Sequence, residues 1–124
     1  PIAAGENEYT RYGFRDMINH RAVDILQPDA LVMGGITDFM KVVALAQAND
    51  LDIAPHGAQE VHIHLVCAIS NGLILEYYRE STDPMHGKIY KDTVQIKDGN
   101  VYAPDRPGLG LELNRTALRE FRIA

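Results

Sequence analysis

The stretch LDIAPHGAQEVHIHL, residues 51–65, decides how the rest of the chain is read. Its first part is an apolar run that stops at His56. Its second part opens a helix, with Val61, Leu65, Ala68 and Ile69 on one stripe. Three histidines and a glutamate fall within nine residues: His56, Glu60, His62 and His64. A metal site, a catalytic base and a solvated helix face can each look like this. His62 and His64 lie two apart on a helix, so they point in different directions and cannot chelate one ion. Glu60 and His64 share a face, but the arrangement is not HExxH, and a surface or interhelix pair is the plainer reading. His56 sits at a strand end and is the one candidate base, with the others structural.

Outward from this unit the same rhythm recurs over the first 80 residues. PIAAGE is a short run stopping at Glu6, after which Thr10 can cap a helix carrying Phe14, Met17 and Ile18. VDILQPD is a second run, ending at Asp29; beyond Gly34-Gly35, Thr37 is a good N-cap for the helix DFMKVVALAQAND. GLILEYY, residues 72–78, is a fourth run with Glu76 near its end. Short apolar runs alternating with helices predict parallel strands buried on both faces and joined by crossovers. The fold class expected is α/β, half of a (β/α)8-type barrel. From about residue 83 the rhythm changes. TVQIKDGNVYAP predicts a hairpin turning at Asp98-Gly99, LGLELN alternates, and Asn114 can cap a short last helix.

Composition agrees with one globular domain: 124 residues, 46% hydrophobic and 23% charged. The net charge of −5 and scattered Lys and Arg speak against a nucleic-acid partner. No apolar run approaches membrane-spanning length. The lone Cys67 excludes an internal disulfide, fits a reducing, cytoplasmic setting, and within LVCAI reads as a buried, inert thiol. The opening PIAAGE reads as a strand already under way, so the expectation is a C-terminal piece of something longer.

In parallel α/β folds chemistry gathers where strands end. Here those ends carry Glu6, Asp29, His56 and Glu76. A polar residue at a strand end is commonplace taken singly, but the four types are chemically compatible. A carboxylate such as Asp29 accepts one ring N–H of a neighbouring His56, orienting the imidazole and making it more basic. Glu6 can bind a hard divalent cation through oxygen. Glu76 can donate a hydrogen bond if it is kept protonated.

AGEN at 4–7, DILQPDA at 24–30, GGIT at 34–37, APH at 54–56, NGLILEY at 71–77 and PGLGLELN at 107–114 resemble, in order, the C-terminal part of an enolase-superfamily enzyme. The subgroup is that of mandelate racemase and muconate lactonizing enzyme, which includes many acid-sugar dehydratases. Spacings of 23, 27 and 20 residues between Glu6, Asp29, His56 and Glu76 make the set specific. The resemblance implies a modified (β/α)7β barrel, with residues 1–82 as strands five to eight. It implies that residues 83–124 form a tail returning to a capping domain outside this chain. It further implies Glu6 as one of three carboxylate ligands to magnesium (Mg2+), Asp29 and His56 as an acid/base dyad, and Glu76 as the group bonding the substrate carboxylate.

The activity so implied is magnesium-dependent removal of the proton α to a carboxylate, in the first instance dehydration of a sugar acid to a 2-keto-3-deoxy acid. The alternatives are a racemase or epimerase of a 2-hydroxy acid, and a non-catalytic interaction module. Deuterated water separates the first two, since a racemase labels recovered substrate whereas a dehydratase forms a keto acid. The remaining metal ligands and a second base would lie upstream. The chain alone is therefore expected to be inactive, and to associate with its other half or with another copy.

Overall fold

The computed structural model describes residues 1–123, His86 by its backbone alone. Three short strands, β1 (Ala3–Ala4), β2 (Ile25–Leu26) and β3 (Asp52–Ile53), form a parallel sheet in the order β1-β2-β3. Ala3 pairs with Ile25, and Ile25 with Asp52. The connections carry α1 (Thr10–Asn19) and α2 (Ile36–Gln47), as parallel neighbours require a crossover. A third helix, α3 (Gln59–Ala68), follows β3.

The ladders are shorter than the apolar runs, and Pro28 and Pro55 account for part of this by lacking an N–H to donate. Single bonds carry the pairing onward: Gln27 N–H to Ala4 O at 3.0 Å, Ala54 N–H to Leu26 O at 3.0 Å, and His56 N–H to Pro28 O at 3.2 Å. Neighbouring segments thus remain side by side up to Asp29 and His56. The fourth run forms no ladder. It meets β3 at one bridge, Ile53 to Gly72, where Ile53 N–H reaches Asn71 O and Leu73 N–H reaches Ile53 O, both at 2.8 Å.

Sheet and helices meet over Phe14, Leu26, Met33, Phe39, Val42 and Ile53, each 1% exposed or less. Full burial of such a side chain stabilises by about 1.5–3 kcal/mol. The first two turns of α3 are buried almost all round, including Glu60 and His62. Glu60 is therefore not half of a surface pair with His64. Instead, His64 Nε2–H donates to the carbonyl of Leu109 at 3.0 Å. Cys67 is exposed, against the expectation of a buried thiol, because it lies about 200° around the helix from the buried Leu65.

Thr37 does not cap α2. Gly35, at φ 89°, holds that place without a side-chain bond, so the Gly34-Gly35 turn sets the start. Thr10 does not cap α1 either: Tyr9 holds the N-cap place without a side-chain bond, and Thr10 is the first helical residue, its hydroxyl accepting the N–H of Tyr12 at 3.4 Å. In the tail, a short helix α4 (His86–Ile89), not anticipated from the sequence, precedes the expected hairpin of β4 (Ile96–Lys97) and β5 (Asn100–Val101). Asp98 and Gly99 both take positive φ there, 52° and 76°, as a tight hairpin turn demands. Asn114 caps α5 (Arg115–Glu120), its Oδ1 accepting the N–H of Ala117 at 3.3 Å. LGLELN contributes one bridge, Leu113 to Tyr90, rather than a strand. No helix among the described residues is long and apolar enough to cross a membrane.

Candidate active site

Asp29 and His56 close neighbouring runs, and the pairing beyond β2 and β3 keeps their backbones together. Asp29 Oδ2 accepts the Nδ1–H of His56 at 3.2 Å. Asp29 Oδ1 accepts the backbone N–H of Leu31 at 2.8 Å, so the carboxylate is held on both oxygens while its residue is only 6% exposed. With Nδ1 committed as donor, His56 presents Nε2 outward as acceptor. Glu6 Oε2 lies 3.3 Å from that nitrogen. Glu76 meets the group by another route, its Oε2 accepting the backbone N–H of Gly57 at 2.7 Å. Glu6, Asp29 and His56 are thus in mutual contact through the imidazole, whereas Glu76 touches the loop behind it.

Four further residues complete the surroundings: Tyr78, Gln59 and Gly57, which the sequence pattern does not mark, and His62, which it reads as structural. The Tyr78 hydroxyl reaches His56 Nε2 at 2.9 Å, its ring edge-on to the imidazole. Burial, then the neighbouring Glu76 carboxylate, then Glu6 and Asp29 raise the Tyr78 pKa, so the phenol keeps its proton and donates. Gln59 fixes the Tyr78 backbone: its Nε2 donates to Tyr78 O at 3.0 Å, and its Oε1 accepts Tyr78 N–H at 3.4 Å. A side chain here replaces the ladder that the fourth run lacks. Gly57 is needed where the two segments close, since it sits at φ 50° and a Cβ would come within 3.1 Å of the Tyr78 ring. His62, wholly buried, bonds Ala30 N–H and Gly57 O with its two ring nitrogens. A cavity of about 290 Å³ adjoins His56, Asp29 and Tyr78 and is closed partly by Ile89 and Tyr90 of the tail.

Among the described residues no three His, Cys, Asp or Glu side chains are placed to hold a metal ion. The Glu6 side chain is 45% exposed, and its Oε1 has a long 3.4 Å contact with the Asn7 amide. That donor fits one position on a hard cation, which asks for about six oxygens in all, so Glu6 by itself does not make a cation site.

The model of the enolase C-terminal domain-like family matches residues 1–117. The chain belongs to this family. Among curated relatives it is 32% identical to arabinonate dehydratase of Saccharolobus solfataricus, over 98% of this chain and 34% of that protein. It is 35% identical to D-galactarolactone cycloisomerase of Agrobacterium fabrum, over 99% of this chain and 36% of that protein. The chain spans about a third of the length of these relatives. Among solved structures, L-talarate dehydratase from Polaromonas sp. JS666, complexed with magnesium and L-glucarate, superimposes with a TM-score of 0.85 at 39% identity. It covers 96% of this chain and 32% of the larger one. A mandelate racemase/muconate lactonizing enzyme from a marine actinobacterium, in complex with magnesium, gives a TM-score of 0.91 at 28% identity, over all of this chain and 35% of that one. Members of this family therefore include acid-sugar dehydratases and a cycloisomerase, some crystallised with magnesium.

Proposed function

We propose that this chain is the C-terminal half of an enolase-type barrel, residues 1–82, with residues 83–124 as a tail toward a capping domain. In the complete enzyme it would serve magnesium-dependent dehydration of a sugar acid to a 2-keto-3-deoxy acid. The observation that carries the reading is the 3.2 Å contact of Asp29 with His56 at adjacent strand ends, with Glu6 beside the opposite ring nitrogen. Dehydratases of sugar acids among the relatives support the reaction class.

A hydrogen α to a carboxylate is too weakly acidic for a free imidazole, so charge on the substrate must be stabilised as it forms. His56 takes the α-proton on Nε2, because Nδ1 already donates to Asp29. Asp29 holds the ring in that tautomer and stabilises the imidazolium that results. The substrate hydrogen must occupy the place that the Tyr78 hydroxyl holds on Nε2, so Tyr78 yields on binding. Glu76, with Oε2 taken by the Gly57 N–H, has its second oxygen left to donate from, when protonated, toward the substrate carboxylate. The protonated His56 then supplies the acid for the departing β-hydroxyl. Glu6 would hold magnesium together with residues outside this chain. Once bound, the ion would offset negative charge on the substrate carboxylate.

Replacing His56 by Asn in the complete enzyme tests this directly. Turnover of the sugar acid is expected to fall by on the order of 10²–10⁴-fold, the range for loss of a positioned acid/base. An unimpaired rate would reject the assignment and favour a non-catalytic module.

A further inference from the structure

Building on that reading, we propose that His62 is a positioning residue that holds Asp29 and His56 in register from behind. Its side chain is 0% exposed and lies over Phe39, ring centroids 5.8 Å apart and planes inclined by 24°. Nε2 accepts the backbone N–H of Ala30 at 3.0 Å, and Nδ1–H donates to the carbonyl of Gly57 at 2.7 Å. Those backbone groups belong to the residues immediately after Asp29 and His56. One imidazole on α3 therefore ties together the two loops that carry the dyad. Asp29 Oδ1 lies 3.7 Å from the same Nε2, which places the tie directly against the carboxylate.

Only the neutral ring protonated on Nδ1 makes both bonds, because an Nε2–H would face another N–H. The backbone alone joins these segments as far as the bond from His56 N–H to Pro28 O. Past that point the link passes to His62. A drift of about an ångström would take the 3.2 Å Asp29–His56 contact beyond hydrogen-bonding range. Misplacement on that scale costs on the order of a hundredfold in rate.

The test compares His62→Leu with His62→Gln in the complete enzyme. Leucine fills similar space without either bond. Glutamine offers a carbonyl oxygen to Ala30 N–H and an amide N–H to Gly57 O. The expected result is a kcat lowered on the order of tenfold to a hundredfold by His62→Leu, with KM little changed, and largely recovered by His62→Gln. Independently of activity, nitrogen-15 spectra should show His62 as the Nδ1–H tautomer, unchanged through the region near pH 6.5 where ordinary histidines titrate. Parental kcat in His62→Leu would overturn the proposal. So would a folded His62→Gln no better than His62→Leu, or an Nε2–H tautomer in the spectrum. If His62→Leu does not fold, a folded His62→Gln with most of the parental kcat supports the role and one without it refutes it; the spectrum remains a separate check. His56→Asn measured alongside separates the two failures. Full activity there sinks the reading of the site. Activity lost there but kept in His62→Leu sinks only the role of His62.

Discussion

Asp29 is held by one hydrogen bond at each oxygen, and the two bonds have different consequences when the carboxylate becomes an amide. In Asp29→Asn the oxygen can still accept Leu31 N–H, so the loop keeps its shape, but the NH2 group now faces the Nδ1–H of His56. Two donors cannot share that contact, and the ring relieves it by moving its proton to Nε2, the nitrogen that receives the substrate proton in the proposed reaction. The expected result in the complete enzyme is a kcat lowered by on the order of 10²–10⁴-fold with KM changed only a few-fold, measured by steady-state kinetics. His62 gives a second residue-scale prediction. Burial lowers its pKa below the ordinary 6.5, outweighing the Gly57 carbonyl and Asp29, which favour the charged ring. The unfolded chain therefore binds more protons below about pH 6.5. Stability is full above that value and is lost as pH falls from 6.5 toward the folded pKa. Urea midpoints of the complete protein should decline over that window, and the decline should be shallower in His62→Gln; equal slopes would count against it. Spacing and residue type pointed to His56, Asp29, Glu6 and Glu76 as candidates. They mark His62 only as structural, and leave Gln59 and Tyr78 unmarked, because each acts through backbone groups or a ring nitrogen of another segment, and sequence distance does not encode those contacts.

β2 lies between β1 and β3, and Leu26 on it is wholly buried among Phe14, Phe39 and Ile53. Removing its side chain costs the transfer of the lost carbons and leaves a cavity that two flanking strands and the helices above cannot collapse to fill. Leu26→Ala should destabilise the complete protein by roughly 2–5 kcal/mol, read from the urea midpoint; a loss below about 1 kcal/mol would show that the sheet relaxes around the gap. Alternation of apolar runs with 3.6-residue periodicity was enough to indicate β1, β2, β3 and their helices, since burial on both faces leaves a continuous apolar signature. Boundaries were less visible. Thr37 has the right chemistry for a cap, but the positive φ angles of Gly34 and Gly35 turn the chain so that the cap falls two residues earlier, at Gly35. The fourth run has strand-like residues yet pairs at a single bridge, and its far end is held by Gln59 and Glu76 side chains rather than by ladder bonds. The apolar run around Cys67 suggests burial throughout, but a helix turns such a run around its axis and leaves the thiol exposed.

At the scale of the whole molecule, the sheet has an open side. β1 pairs with β2, and its other edge meets no strand among the described residues. Ile2, Leu31, Leu73 and Ile74 are 64, 68, 53 and 63% exposed, in or beside the segments that form the sheet and its continuation. A parallel sheet with bare backbone donors and acceptors at an edge, and branched apolar side chains around it, is a template for another chain. A net charge of −5 on 124 residues opposes association only weakly at physiological salt, where repulsion beyond about 8 Å is screened. The 124-residue chain produced alone should therefore self-associate. Sedimentation should show species larger than 13.8 kDa that shrink when a polypeptide supplying the preceding strands is added. On the proposed function, closure by strands supplied from outside this chain would also bring further oxygen ligands beside Glu6. The same mixture should then acquire magnesium-dependent exchange of the substrate α-proton, while the chain alone shows none. A monodisperse monomer, or proton exchange by the chain without its complement, would mean that the exposed edge and the lone carboxylate are sufficient as they stand.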